Sequence, residues 1–136
     1  MQAQNGGCLC GAIRYTLTGV PRSAAICHCR HCQRQSGSLF SINLFVDEAD
    51  FALRGETKAF EDFGDSGHPS YRHFCGNCGS PLFTRVSTMP GTVLVKAGTL
   101  DSVVDVPSPQ VEIYTERAAR WLAPVAGTTR FPLGPA

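Results

Sequence analysis

The chain has 136 residues, 43% of them hydrophobic and 17% charged, and 12 basic against 11 acidic side chains leave a formal net charge of +1. That size suits a single domain spanning 1–136, and the even charge leaves no basic stripe for a nucleic acid or an anionic membrane. The start, MQAQNGGCLCG, has neither the basic flank nor the apolar stretch of a secretory signal, and nothing approaches the roughly 18 apolar residues of a membrane helix, so the expected compartment is the reducing cytoplasm.

In chain order, most periodic stretches have period two. Ile13, Tyr15 and Leu17 alternate with Arg14 and Thr16, and Gly19-Val20-Pro21 ends the run. After CHCRHC at 27–32 comes the clearest helical signal, a turn or two over 30–35 closed by Gly37. Phe40, Ile42, Leu44 and Val46 then alternate, followed by Phe51 with Leu53, Leu82 with Phe83, Val93 with Val95, and Val111 with Ile113. Gly55, Gly64, Gly67, Pro90-Gly91, Pro107 and Pro109 punctuate these runs. Short alternating runs between turn signals predict a mainly β domain of short antiparallel strands with little helix. A second helical turn is expected within 115–121, and TTRFPLGPA at 128–136 reads as a loop or an ordered edge segment, its two prolines excluding regular helix. Phe40, Phe51, Phe60, Phe63, Phe74 and Phe83 are expected in the core.

The seven cysteines fall into C-x-C (Cys8, Cys10), C-x-C-x-x-C (Cys27, Cys29, Cys32) and C-x-x-C (Cys75, Cys78). An odd number in a reducing compartment argues against a disulfide framework, and the surroundings lack the βαβ context of a redox C-x-x-C. Glycine follows Cys10, Cys75 and Cys78, which lets the backbone turn tightly and aim N–H groups at sulfur. Two such pairs far apart in sequence make a closed Cys₄ site for zinc or iron, pinning the N-terminal segment to the hairpin that carries Cys75 and Cys78. Cys27, Cys29 and Cys32 have no fourth cysteine, and three protein ligands with one open position is the arrangement of catalytic zinc. His28, His31, His68 or His73 could close that site, and His73, two residues before Cys75, is the best placed.

GGCLCGAIRY, CHCRHCQRQSGSLF, RHFCGNCGSPLF and EIYTERAARW, running from about Gly7 to Trp121, together resemble the glutathione-dependent formaldehyde-activating enzyme family, which also includes centromere protein V. The resemblance implies a zinc-bearing, β-sandwich-like (β-tent) fold. It implies two zinc ions per chain, a structural one on Cys8, Cys10, Cys75 and Cys78 and a catalytic one on Cys27, Cys29 and Cys32. It also implies condensation of formaldehyde with glutathione to S-hydroxymethylglutathione, formally the reverse of a carbon–sulfur lyase reaction.

Three thiolates bring bound Zn²⁺ to a net charge of −1, a weak Lewis acid whose natural task is to hold an incoming thiol and present it as thiolate, the nucleophile toward an aldehyde. The expected partner is therefore a small-molecule thiol such as glutathione, whose carboxylates call for guanidinium forks. Arg30, Arg34 and Arg72 lie close to ligating cysteines, and Arg117 and Arg120 flank the segment before Trp121. Arg34, Arg72 and Trp121 are the substrate-binding candidates, with Tyr114 as a further lining residue and Ser36-Gly37-Ser38 as a source of backbone N–H groups. The competing reading is a non-catalytic zinc-stabilised binding module. What separates the two is whether the metal on Cys27, Cys29 and Cys32 keeps an exchangeable position.

Overall fold

The computed structural model describes residues 3–134. In chain order the strands are β1 (Gln4–Gly7), β2 (Arg14–Leu17), β3 (Ser23–Cys27), β4 (Ser41–Asp47), β5 (Phe51–Arg54), β6 (Lys58–Phe63), β7 (Pro69–Phe74), β8 (Pro81–Val86), β9 (Thr92–Lys96), β10 (Val111–Ile113) and β11 (Thr129–Arg130), with the helix α1 (Arg30–Ser36) between β3 and β4. They form a three-stranded sheet, β1-β2-β5, and an eight-stranded sheet, β11-β10-β3-β4-β9-β8-β7-β6.

Alternation decides which face each side chain takes. Tyr15 and Leu17 of β2 turn inward, and Ile42, Leu44 and Val46 of β4 meet them from one face of the large sheet, beside Val93 and Val95 of β9. Phe51 joins the sheets, its ring 5.6 Å from Tyr15 and 4.9 Å from Phe83. Burying each such side chain contributes about 1.5–3 kcal/mol, so this interface is the core. The other face of the large sheet carries Asn43 and Phe45 of β4, Thr84 of β8, and Leu94 and Lys96 of β9, and there the chain encloses a cavity instead of a second core.

The mainly β expectation holds, with three differences. β10 runs parallel to both β3 and β11. The long, proline-bearing connection after β9 lets the chain cross to the far edge and enter beside β3, and hydrophobic alternation carries no information on strand direction. Phe60 and Phe63 are exposed rather than in the core. They lie on the edge strand β6, whose one buried residue is Asp62. Finally, the turn at 115–121 shortens to a 3₁₀ turn, Thr115–Arg117. The N–H groups of Tyr114, Thr115 and Glu116, which a helix starting here leaves without internal partners, bond to carbonyls of Leu133, Phe131 and Pro132 and so tie the C-terminal segment to this turn. That segment is accordingly an ordered edge as far as Gly134; Pro135 and Ala136 lie outside the described residues.

Candidate functional site

The Cys8, Cys10, Cys75 and Cys78 sulfurs all lie within 4.8 Å of one another. Cys8 and Cys10 follow β1, and Cys75 and Cys78 sit in the turn joining β7 to β8. Both turns are built alike. Gly11 (φ 83) and Gly79 (φ 80) take left-handed conformations, and their N–H groups bond to the Cys8 and Cys75 carbonyls at 3.2 and 2.8 Å. N–H groups also aim at sulfur: Ile13 at Cys8 (3.2 Å), and Asn77 and Cys78 at Cys75 (3.4 and 3.5 Å). Leu9 N–H donates to the Ser80 hydroxyl at 3.0 Å, holding the two turns face to face. Hydrogen bonds from the Ser80 side chain and from the backbone of Ser80 and Cys10 draw the Cys78 thiol down to about 5. Sulfurs at the corners of a tetrahedron around zinc, at about 2.3 Å from it, stand about 3.8 Å apart. Cys8 and Cys10 are 3.6 Å apart, and Cys10 and Cys75 3.8 Å. The donor set fits a closed tetrahedral ion.

Cys27, Cys29 and Cys32 bring their sulfurs within 4.8 Å on the other face of the large sheet. Cys27 ends β3; Cys29 is the N-cap of α1, its Sγ accepting from Cys32 N–H at 3.2 Å; Cys32 lies in the first turn. Cys27 and Cys32 are buried and Cys29 is half-buried, so access is on the Cys29 side. The Cys32 thiol is held far below its ordinary range by hydrogen bonds from Cys27 and Cys29, which outweigh burial, with the charges of Lys96 and Arg72 adding to them. Such a set suits an ion with a further position free, since no histidine joins it among the described residues.

The histidines have other partners. His28 donates from Nε2 to Glu112 (2.9 Å) with both side chains 1% exposed. His31 bonds through Nδ1 to Asp62 at 2.9 Å, and His68 sits in an exposed turn. His73, the expected closing ligand, bonds to the Thr57 hydroxyl at 2.8 Å and stacks on Phe83 at 4.4 Å. It faces the core because its neighbour Arg72 faces the cysteines, and successive side chains of a strand point opposite ways.

Among the arginines, Arg72 comes nearest. Its Nη1 lies 4.0 Å from Cys32 Sγ, and its Nε donates to Asp62 at 2.8 Å. Burial alone would raise the Asp62 carboxyl, but hydrogen bonds from Arg72 and His31 together keep it below its usual range. Arg117 lines the three-cysteine cavity beside Tyr114 and pairs with Asp65 at 3.1 Å. Arg30 and Arg34 line a separate depression, of about 520 Å³, that shares Arg72 and His31 with the cysteine cavity as a common wall. Trp121 is 77% exposed and lines neither, and Arg120 is exposed. The Gly37 and Ser38 N–H groups bond to the Gln33 carbonyl and the Ser36 hydroxyl, leaving neither for an anion. Sequence reasoning missed Lys96, Asn43, Thr84 and Asp62. The available signal was polar residues at positions where an inner or edge strand buries them.

The sequence profile of the family described as glutathione-dependent formaldehyde-activating enzyme matches residues 3–117. The chain belongs to that family. It is 28% identical over 122 residues to a protein of Halomonas elongata whose name provisionally makes it a glutathione-dependent formaldehyde-activating enzyme, with 86% of this chain and 78% of that one covered. Its fold resembles the crystal structure of a Rhodobacter sphaeroides protein with a TM-score of 0.59 at 22% identity, over 77% of this chain and 96% of the other. No helix among the described residues is long and apolar enough to cross a membrane.

Proposed function

We propose that this chain is a zinc-dependent, carbon–sulfur lyase-type enzyme of a reducing compartment such as the cytoplasm, joining and releasing a thiol and a small aldehyde, with glutathione and formaldehyde as the reference pair. The observation that carries this reading is the three-cysteine cluster opening into a cavity of about 330 Å³ with no fourth protein ligand among the described residues. Cys8, Cys10, Cys75 and Cys78 would hold a structural zinc, and Cys27, Cys29 and Cys32 a second. Zinc held there would supply a Lewis-acidic position that lowers the pKa of an incoming thiol toward neutrality.

The chain's own groups do the rest. Lys96 and Arg72 set positive charge beside three sulfurs, and Asp62 holds Arg72 in place as a positioning residue. Arg117 at the cavity wall and Arg34 in the adjoining depression offer forks for the carboxylates of a tripeptide thiol. The cavity walls keep thiol and aldehyde together, which replaces a bimolecular encounter by a local one.

Because formaldehyde and glutathione combine without help, catalysis must appear as a rate above that background. NMR exchange spectroscopy of the adduct at neutral pH, with and without protein, tests the reading. Acceleration that drops at least tenfold in Cys29→Ser is expected; equal rates with and without protein refute it.

A further inference from the structure

Beside the three cysteines, the floor of the cavity holds polar groups that the fold itself does not use. Asn43 and Lys96 are direct partners across the β4–β9 ladder, so their side chains stand together on the cavity face. Both are more than nine-tenths buried, as are Thr84 and Arg72. Asn43 donates to the Ser41 hydroxyl at 3.2 Å, but its Oδ1 and the Thr84 hydroxyl have no hydrogen-bond partner among the described residues. Lys96 has no carboxylate partner among them either, whereas Arg72 has Asp62. Buried polar atoms are nearly always satisfied, and leaving one unsatisfied is costly. Two such atoms in one cavity wall, with the Lys96 ammonium beside them and a nucleophile-binding cluster next to them, mark a place built for an outside group.

The chemistry of the group follows from the donors and acceptors. Lys96 only donates, Asn43 Oδ1 only accepts, and Thr84 does either. A carbonyl oxygen, and the hydroxyl it becomes, matches this set: it accepts from Lys96 throughout and, once protonated, donates to Asn43. Farther along the same face the lining turns apolar, with Phe45, Val86, Met89 and Leu94. Formaldehyde has two non-hydrogen atoms and is little larger than a water molecule, whose share of liquid volume is about 30 Å³. A cavity of about 330 Å³ leaves that apolar stretch unfilled by it.

We propose that the sheet floor is an aldehyde subsite, with Lys96, Asn43 and Thr84 holding the carbonyl oxygen and Phe45, Val86, Met89 and Leu94 receiving an apolar substituent, so that the chain acts on aldehydes larger than formaldehyde. This rests on the thiol–aldehyde reading above and narrows it. In the step, a sulfur lone pair forms the C–S bond, the C=O π pair moves onto oxygen, and that oxygen takes up the proton the thiol released on ionising. The sum is RSH + R′CHO giving RS–CH(OH)R′, with no oxidant or reductant.

The test uses the metal-loaded protein with glutathione and the series formaldehyde, acetaldehyde, propanal and hexanal, scored as exchange rate above background. Ligand-observed NMR of hexanamide, an unreactive carbonyl of the same length, gives an independent binding readout. Each methylene entering a fitted apolar pocket is worth about 10–200-fold in the limit, so kcat/KM is expected to rise at least tenfold from acetaldehyde to hexanal. Leu94→Trp and Met89→Trp should each lower the hexanal-to-acetaldehyde ratio at least fivefold and weaken hexanamide binding; having two variants guards against one misfolding. Lys96→Met, similar in length and apolar, should lower kcat/KM for both aldehydes by about 100-fold, as loss of an oxyanion donor does, with their ratio kept. If formaldehyde is accelerated while rates fall with chain length and hexanamide does not bind, the subsite is overturned and the family reaction stands. If formaldehyde too is not accelerated, both fall.

Discussion

Glu112 joins the C-terminal edge of the large sheet to the cysteine loop, and Glu112→Gln isolates what its charge contributes. The carboxylate is 1% exposed. It accepts from His28 Nε2 at 2.9 Å through one oxygen, and from Thr128 Oγ1 at 2.7 Å, Val125 N–H at 3.2 Å and Arg130 at 2.5 Å through the other. Burial alone would raise its pKa, but the bonds from Thr128, His28 and Arg130 outweigh that and bring it from 4.5 to about 2. At about 1.36 kcal/mol per pH unit, a drop of that size is worth about 3 kcal/mol at neutral pH. Because the folded pKa is depressed, the stabilisation is fully present above 4.5 and is lost as pH falls through about 2. Glutamine cannot replace it, since its amide nitrogen would face donors. Urea denaturation of wild type and Glu112→Gln at fixed free zinc should therefore differ by about 3 kcal/mol from about pH 8 down to about pH 6, above the range in which protons compete zinc off thiolates. A difference below about 1 kcal/mol at pH 7 would refute the view of Glu112 as a buried, ionised hub.

Elemental analysis of protein purified without chelator should find about two zinc ions per chain, because the cysteines divide four and three; a count near one that reconstitution does not raise would remove the second site. The sites should also fail differently. Structural zinc contributes on the order of 10–16 kcal/mol of apparent binding energy coupled to folding, and Cys8 and Cys75 tie segments 67 residues apart, so Cys75→Ser should give insoluble or unfolded protein. Cys29→Ser should stay folded by circular dichroism, since its loop joins only the adjacent ends of β3 and α1. Equal unfolding of the two variants would sink the division into structural and functional sites.

Much of this protein was legible in its sequence because the relevant signals are local. The spacing of seven cysteines, the glycines after Cys10 and Cys78, and the alternation through Ile42, Leu44 and Val46 each depend on a few consecutive residues, and they foretold both sulfur clusters and the β core. β3 was not legible, because it is buried on both faces and leaves no alternation to read. Neither was β6, where the hydrophobic residues face out and Asp62 faces in. His73 looked like a ligand in one dimension, yet strand pairing turned it to the opposite face from Arg72 and the cysteines. Tertiary structure alone decided that Asn43, Thr84 and Lys96, from three strands spread over more than 50 residues, stand together near Cys32, with Asn43 Oδ1 and the Thr84 hydroxyl unpaired among the described residues. The physical reason is that a side chain's chemistry is written at its own position, whereas what it faces depends on which strands pair and in which register.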